Sequence, residues 1–191
     1  GFDFIDEGDE NLVWLIENCY KRKMILQLHF GTYRNVNSAA YGQCGKDSGF
    51  DIMRGTIDTD ALVKIFDREN MRLGGLPKIV VYPLNDYDLR AIATLTGAFP
   101  QVKLGAAWWF NDTVNGIKRQ LETAAEYSAL GTQYGMLTDS RSFSSYVRFD
   151  FHRRILSSFI GERVENGEYD ENAAIALARK IAYENIKAAL V

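Results

Sequence analysis

Asp139 and Arg141 lie two residues apart, directly after the apolar run 133–138 and just before an aromatic residue. A carboxylate can relay protons and a guanidinium can stabilise negatively charged oxygen, so this pair could serve acid–base catalysis. The same two residues could instead be a helix cap and a surface ion pair. Whether the two residues belong to a catalytic site or to a polar surface loop therefore depends on the elements that surround them.

Three further apolar runs end in side chains that could serve the same chemistry, namely His29, Asn85 and Trp108. His29 and Asp139 are of types that bind divalent metals, and together they would supply half of a metal site. Each candidate also has a structural interpretation. A lone histidine at a strand end is often a hydrogen-bonded structural residue, and one of the adjacent Trp108 and Trp109 should pack on a helix. His152, inside a helical segment, is expected to be a surface or structural residue.

The elements that would position these side chains alternate between helix and strand. Apolar runs predict four strands, at 23–29, 76–84, 101–110 and 133–138. Helical spacing predicts helices at 9–22, 58–70, 86–97, 112–131, 143–160 and 170–189. The segment 30–57 shows no period, and a loop of this length is usually functional or disordered.

This alternation predicts an α/β fold of parallel βαβ units, with helices covering both faces of the sheet. Residues 1–191 contain no repeat and no linker, so a single unit is expected. Two architectures fit: an open, doubly wound sheet, or part of a (β/α)8 barrel, of which four strands are half. In both folds ligands bind at the carboxyl ends of the strands, where the candidate side chains would meet.

Composition argues against several classes of partner. The net charge is −3, and a nucleic-acid-binding protein would instead carry a basic stripe. There is no polybasic cluster for an anionic membrane, and no apolar run approaches the roughly 20 residues that span a bilayer. Cys19 and Cys44 lack CxxC spacing and are interpreted as reduced thiols of a cytoplasmic protein. Phosphate-binding glycine loops, a GxSxG elbow and HExxH or HxH motifs are absent.

Five stretches of the sequence resemble the C-terminal half of the uronate isomerase (glucuronate isomerase) family, within the amidohydrolase superfamily. They are LQLHFGTYRNVN, GFD, LPKIVVYPLN, WWFND and GMLTDSRSF followed by YVRFDFHRRIL. The resemblance runs from about residue 24 to about residue 160 and continues towards the C-terminus. WWFND and TDSRSF, in this order and at this separation, are its most specific motifs.

The resemblance implies the C-terminal half of a (β/α)8 TIM-type barrel, formed by parallel strands five to eight and their helices. Residues 23–29 would be barrel strand five and residues 133–138 strand eight. The implied reaction is the aldose–ketose isomerisation of hexuronates, D-glucuronate to D-fructuronate and D-galacturonate to D-tagaturonate. One divalent metal, zinc, would lie at the C-terminal rim of the full-length enzyme.

The resemblance also implies roles for individual residues. Asp139 takes the position of a metal ligand and proton shuttle, and His29 that of the strand-five histidine, a catalytic residue and metal ligand. Arg141 takes the position of an arginine implicated in substrate binding and proton transfer. Trp108 corresponds to the active-site tryptophan.

Two further substrate-binding candidates are less direct. Asn85 lies near the position where many members of the superfamily carry a histidine after strand six. Arg34 could bind the C6 carboxylate of the substrate through two parallel hydrogen bonds, which is an inference from its chemistry. A loop salt bridge is an equal alternative for Arg34.

The sequence departs from the family pattern because it lacks the His-x-His pair of barrel strand one and strands one to four altogether. We therefore expect the chain alone to be inactive and to need the missing N-terminal half-barrel as a partner. Exposed sheet edges would otherwise favour a homo-oligomer. Two alternatives remain: an α/β binding module for a sugar acid or a protein, and a hydrolase of the same superfamily, against which the absent strand-six histidine argues.

Overall fold

The structure is a computed structural model that describes residues 9–140 and 142–190. It begins with helix α1 (Glu10–Arg22), which leads to strand β1 (Leu26–Phe30). Asp9 caps α1, because its carboxylate accepts a hydrogen bond of 2.9 Å from the amide of Leu12. The helix predicted at 9–22 is thereby confirmed.

Short regular elements occupy the segment 30–57, in which the sequence showed no period. Strand β2 (Thr32–Tyr33) pairs antiparallel with β3 (Ile52–Met53), and helix α2 (Ser38–Cys44) lies between them. Two-residue strands and a seven-residue helix are too short to produce a detectable pattern of apolar residues.

A parallel sheet forms the centre of the fold. Helix α3 (Thr59–Leu73) leads to strand β4 (Ile79–Pro83), helix α4 (Leu89–Ala98) and strand β5 (Val102–Leu104). The sheet has the order β1-β4-β5, and both pairings are parallel. All five residues of β4, the central strand, are buried. The predicted α/β class with parallel strands is therefore confirmed.

Helices make up the rest of the chain. Helix α5 (Val114–Tyr127) is followed by α6 (Val147–Glu165), α7 (Glu171–Arg179) and α8 (Asn185–Leu190). A π-helical turn, Lys180–Glu184, joins α7 to α8. Short 3-10 turns lie at Trp109–Asn111, Leu130–Thr132 and Phe143–Tyr146. None of the helices in the described ranges is both long and apolar enough to cross a membrane.

The fourth strand predicted at 133–138 is wrong, since these residues pair with none of the described strands. Gly135 has a φ of 72°, outside the range of a regular strand, and a Cβ at this position would lie 2.7 Å from the carbonyl oxygen of Ile181 in the π-helical turn. The side-chain amide of Asn185 donates hydrogen bonds of 2.8 Å to the carbonyls of Gly131 and Gln133. Side-chain hydrogen bonds thus hold this segment in place, whereas a strand would be held by the backbone of a neighbouring strand.

The hydrophobic core lies on one face of the sheet, the face that carries Leu28, Val81 and Leu104, and not on both faces as predicted. Helices α1, α3, α4, α5 and α6 contribute to it. Its largest fully buried side chains are Leu12, Ile16, Leu62, Ile65, Phe66, Ile79, Ile92, Leu104, Ile117, Leu121, Leu156 and Phe159. Burying an aliphatic or aromatic side chain of this size stabilises a fold by roughly 1.5–3 kcal/mol. The helices are therefore fixed against the strands whose ends carry the candidate residues.

Gly105 makes room for a buried tyrosine next to the strand ends. A Cβ at this position would lie 2.1 Å from the ring of Tyr82, which is 6% exposed. We expect Gly105→Ala to lower the free energy of unfolding by about 1–3 kcal/mol, the usual cost of overpacking. Urea denaturation measures this change.

Gly97→Ala is the matched control, because a Cβ there meets no atom within 4 Å inside helix α4. Alanine at this position should be neutral or stabilising by up to about 1 kcal/mol, since it favours the helix. An unchanged free energy of unfolding in Gly105→Ala would contradict the contact with Tyr82.

Candidate active site

A cavity of about 1120 Å³ opens at the carboxyl end of the parallel sheet. Its walls come from the end of β1, the β2–β3 segment, the residues after β5, the segment 138–140 and the start of α6. Four of the candidate residues line it: His29, Arg34, Trp108 and Asp139. The fold therefore brings together side chains that are as much as 110 positions apart in the sequence.

His29 and Asp139 face each other across this cavity. The Nδ1 atom of His29 lies 3.9 Å from the Oδ2 atom of Asp139. Burial lowers the pKa of His29, and the negative charge of Asp139 opposes that shift only in part. His29 is therefore mainly neutral near pH 7, which is the form of histidine that binds metals or accepts protons.

Tyr82 supports His29 from within the sheet. The two residues are register partners in the β1–β4 ladder, and their rings meet edge to face at 4.6 Å. Burial raises the pKa of Tyr82, and the nearby charge of Asp139 adds to the shift, so the phenol stays protonated. The packed ring limits the directions in which the imidazole can point.

The His29–Asp139 pair has the chemistry of part of a metal site. In a tetrahedral zinc site with bonds of about 2.0–2.2 Å, two ligand atoms lie about 3.4 Å apart. The observed distance from Nδ1 to Oδ2 is 3.9 Å, so the two side chains would have to draw together slightly around a zinc ion. Residues 9–140 and 142–190 contain no group of three or more His, Cys, Asp or Glu side chains that could hold a metal ion. A complete site would thus need ligands from beyond these residues.

Arg34 reaches the cavity while engaged by carboxylates of its own loop. Its guanidinium pairs with Asp47, and its Nε atom lies 3.8 Å from Oδ1 of Asp51. The same guanidinium lies over the ring of Trp109 at 5.1 Å. The loop salt bridge that the sequence left open is therefore present, and a bound carboxylate would have to compete with it.

Trp108 is buried beside an arginine that the sequence analysis did not single out. The guanidinium of Arg148 lies 4.3 Å from the centre of the Trp108 ring. Arg148 also pairs with Asp112 and donates a hydrogen bond of 3.2 Å to the carbonyl of Thr138. In the sequence, Arg148 is one arginine among aromatic residues in YVRFDF. A surface arginine can have the same neighbours, so this pattern did not predict its place at the cavity.

Asn85 does not lie in the cavity, contrary to the substrate-binding role expected from the sequence. Its side chain is fully buried and donates to Oδ2 of Asp88 at 2.9 Å. It also donates to the carbonyls of Arg54 and Gly55 at 3.2 Å, and accepts from the amide of Asp88 at 3.0 Å. These bonds use its polar atoms to tie the segment after β3 to the start of α4. Arg141 lies outside the described residues.

Three residues that line the cavity have left-handed backbone conformations. The φ angles of Asp47, Trp109 and Asp139 are 64°, 50° and 43°. Aspartate tolerates this region, whereas a tryptophan in it is an outlier that its surroundings must hold in place. Such strain is concentrated at functional sites, and its position here supports a functional cavity.

A second, smaller cavity of about 370 Å³ lies between residues 134–138, helix α6 and helix α8. His152 lines it and is 2% exposed, which agrees with the structural role expected for this residue. Burial, and then the charge of Arg153, lower the pKa of His152 to about 4. The imidazole is therefore neutral in the folded protein at neutral pH.

Comparison with known proteins identifies the class. A family model for glucuronate isomerase matches residues 9–189. The chain is 42% identical over 173 residues to the uronate isomerase of Lachnospira eligens, covering 86% of the chain and 37% of that protein. It is 38% identical over 185 residues to the uronate isomerase of Mannheimia succiniciproducens, covering 93% of the chain and 39% of that protein.

Solved structures agree with these relatives. The crystal structure of uronate isomerase from Thermotoga maritima matches 95% of the chain with a TM-score of 0.87 and 32% identity. That of glucuronate isomerase from Caulobacter crescentus matches 94% with a TM-score of 0.85 and 31% identity. The chain belongs to the glucuronate isomerase family. It spans about two fifths of the length of the curated relatives it matches.

The buried His152 predicts an acid-dependent loss of stability. Its pKa is near 6.5 in the unfolded chain and about 4 in the folded protein, so between these values the unfolded state binds more protons. The contribution of His152 is thus fully present above about pH 6.5 and is lost as the pH falls towards 4. Linkage puts the loss at roughly 3 kcal/mol.

Urea denaturation of the wild type and His152→Leu across pH 4–7 measures this contribution. The free energy of unfolding should fall more steeply with acidification in the wild type, because leucine cannot take up a proton. Other titrating groups affect both proteins equally. Parallel curves for the two proteins would show that burial does not hold His152 neutral.

Proposed function

We propose that the chain acts as part of a uronate isomerase, which interconverts aldose and ketose forms of hexuronates. The substrates are D-glucuronate and D-galacturonate, and the products are D-fructuronate and D-tagaturonate. The observation that carries this proposal is the 3.9 Å approach of His29 to Asp139 at the carboxyl end of a parallel sheet. Membership of the glucuronate isomerase family gives that geometry its chemical context.

The isomerisation moves a proton between C1 and C2 of the sugar through an enediolate. Asp139 suits the proton transfer, because its side chain is 61% exposed at the cavity and can reach a substrate carbon. Neutral His29, whose ring packs against Tyr82, would orient the reacting oxygen atoms of the substrate. Arg141, two residues from Asp139 in the sequence, would stabilise negative charge on the enediolate.

The walls of the cavity suit a sugar acid. Trp108 provides an apolar surface for the sugar ring, and Arg34 provides a cation for the C6 carboxylate. A carboxylate-bearing substrate would exchange places with Asp47, whose pairing with Arg34 is solvent-exposed and therefore weak. The divalent metal, zinc in this proposal, would be held by His29 and Asp139 and would polarise the substrate carbonyl when bound.

The proposed architecture is one half of a (β/α)8 barrel. Strands β1 and β5 are the two edges of the three-stranded parallel sheet, and both are placed to accept further strands. The greater length of the relatives supports a missing N-terminal half-barrel, which would also bring the remaining metal ligands.

We expect the chain alone to show no turnover of D-glucuronate, because its described residues supply only two metal ligands. Activity should appear when the chain is co-expressed with the N-terminal half of a uronate isomerase, such as that of Lachnospira eligens. The measurement is the rate of ketose formation with and without that half. Turnover by the chain alone would show that the reaction does not need metal ligands from an N-terminal half.

Asp139→Asn tests the proton transfer directly in the active, two-part enzyme. We expect kcat to fall by about 10²–10⁴-fold, the range typical of a lost acid–base group. Asp150→Asn is the matched control, because Asp150 is an exposed carboxylate on helix α6 that pairs with Arg154 away from the cavity. Equal kcat values for the two variants would exclude Asp139 from the chemistry.

A further inference from the structure

We propose that Arg148 is a positioning residue that fixes the carboxylate of Asp139 relative to His29. It would do so by tying the segment 138–140 to the residues that follow β5. The inference deepens the proposed function and rests on it, because it assigns a device that keeps the same site assembled. Arg148 itself need not touch the substrate.

Three contacts hold the guanidinium of Arg148 in one place. It lies over the ring of Trp108 at 4.3 Å, pairs with Asp112 and donates to the carbonyl of Thr138 at 3.2 Å. The side chain of Asp112 is only 10% exposed and that of Arg148 25% exposed, so water weakens the pair little. A planar, fork-shaped donor suits this combination of stacking and two directed bonds, and a lysine would not reproduce it.

The Thr138 carbonyl belongs to the peptide bond that leads into Asp139, so the hydrogen bond from Arg148 acts on that residue directly. The segment 133–140 lacks ladder bonds to any described strand. Asn185 holds its beginning through Gly131 and Gln133, and Arg148 holds its end. Asp139 has a left-handed φ of 43°, a conformation that needs such external support.

The consequence for catalysis is geometric. The 3.9 Å between His29 and Asp139 joins a residue in the sheet to a residue in a segment held by side chains. A displacement of about 1 Å at such a point can lower a rate by about 10²-fold. Loss of Arg148 should therefore reduce the chemical step more than substrate binding.

The test compares Arg148→Ala and Arg148→Lys with Arg154→Ala in the two-part enzyme that turns over D-glucuronate. Arg154 is on the same helix and pairs with Asp150 at the exposed surface, so its removal is the matched control. For Arg148→Ala we expect kcat to fall by about 100-fold with KM changed less than about threefold. Arg148→Lys should recover part of the loss, and Arg154→Ala should resemble the wild type.

Two kinetic outcomes would overturn the proposal. An unchanged kcat in Arg148→Ala would show that the anchor does not affect the reaction. A KM raised more than tenfold at constant kcat would show that Arg148 binds the substrate directly. If Arg148→Ala fails to fold, Arg148→Lys gives the same kinetic comparison.

NMR order parameters of the backbone amides, measured on the chain alone, separate this inference from the proposed function. Arg148→Ala should lower the order parameters of residues 138–140 to below about 0.6, while those of β4 stay near about 0.85. Unchanged order parameters at 138–140 would overturn the anchor. If the wild type fails to isomerise hexuronates in the two-part enzyme, the proposed function fails, whereas the order parameters still decide whether Arg148 holds the segment.

Discussion

The parallel pairing of β1 with β4 is the constraint on which the candidate site depends. It sets His29 opposite Tyr82, whose ring meets the imidazole edge to face at 4.6 Å. Tyr82 in turn occupies space that exists only because residue 105 on the neighbouring chain segment has no side chain. The orientation of His29 is thus fixed from the core outward, through packing that a folded sheet maintains without further support.

The opposite wall of the cavity is held by individual side chains and not by strand pairing. Asp139 lies in a segment that makes no strand ladder, so individual side chains replace the hydrogen bonds of a sheet. Asn185 and Arg148 hold the two ends of that segment, and Arg148 links it to Trp108 and Asp112. One half of the His29–Asp139 pair is therefore rigid by packing, and the other half depends on a few polar contacts.

The sequence predicted the features that depend on local physics. Asp9 and Asp58 directly precede helical patterns, and both accept hydrogen bonds from amides three residues later. The apolar run that became β4 was found because all five residues of that strand are buried. The apolar residues of β1 and β5 alternate with Gln27, His29 and Lys103, and they face the core. The rule that parallel strands present their carboxyl ends at one edge predicted that His29 and Asp139 would meet. They do meet, although the segment before Asp139 forms no strand.

Features that depend on distant partners could not be read from the sequence. Residues 133–138 have the composition of a strand, but a strand requires a neighbour, and the π-helical turn at Ile181 takes the space beside Gly135. Asn85 follows a strand as a ligand-binding residue would, yet its amide is used by Asp88 and two loop carbonyls. The contacts of Arg148 join segments about 10 and 40 positions apart, beyond the reach of any short motif.

We propose that His29 and Asp139 are two ligands of a metal site that another part of the protein completes. Calorimetric titration of Zn²⁺ into the chain, with and without the N-terminal half of a uronate isomerase, measures this. We expect weak binding by the chain alone, tight binding by the two halves together, and loss of that tight binding in His29→Ala and Asp139→Ala. Equal affinity in the wild type and both variants would contradict it.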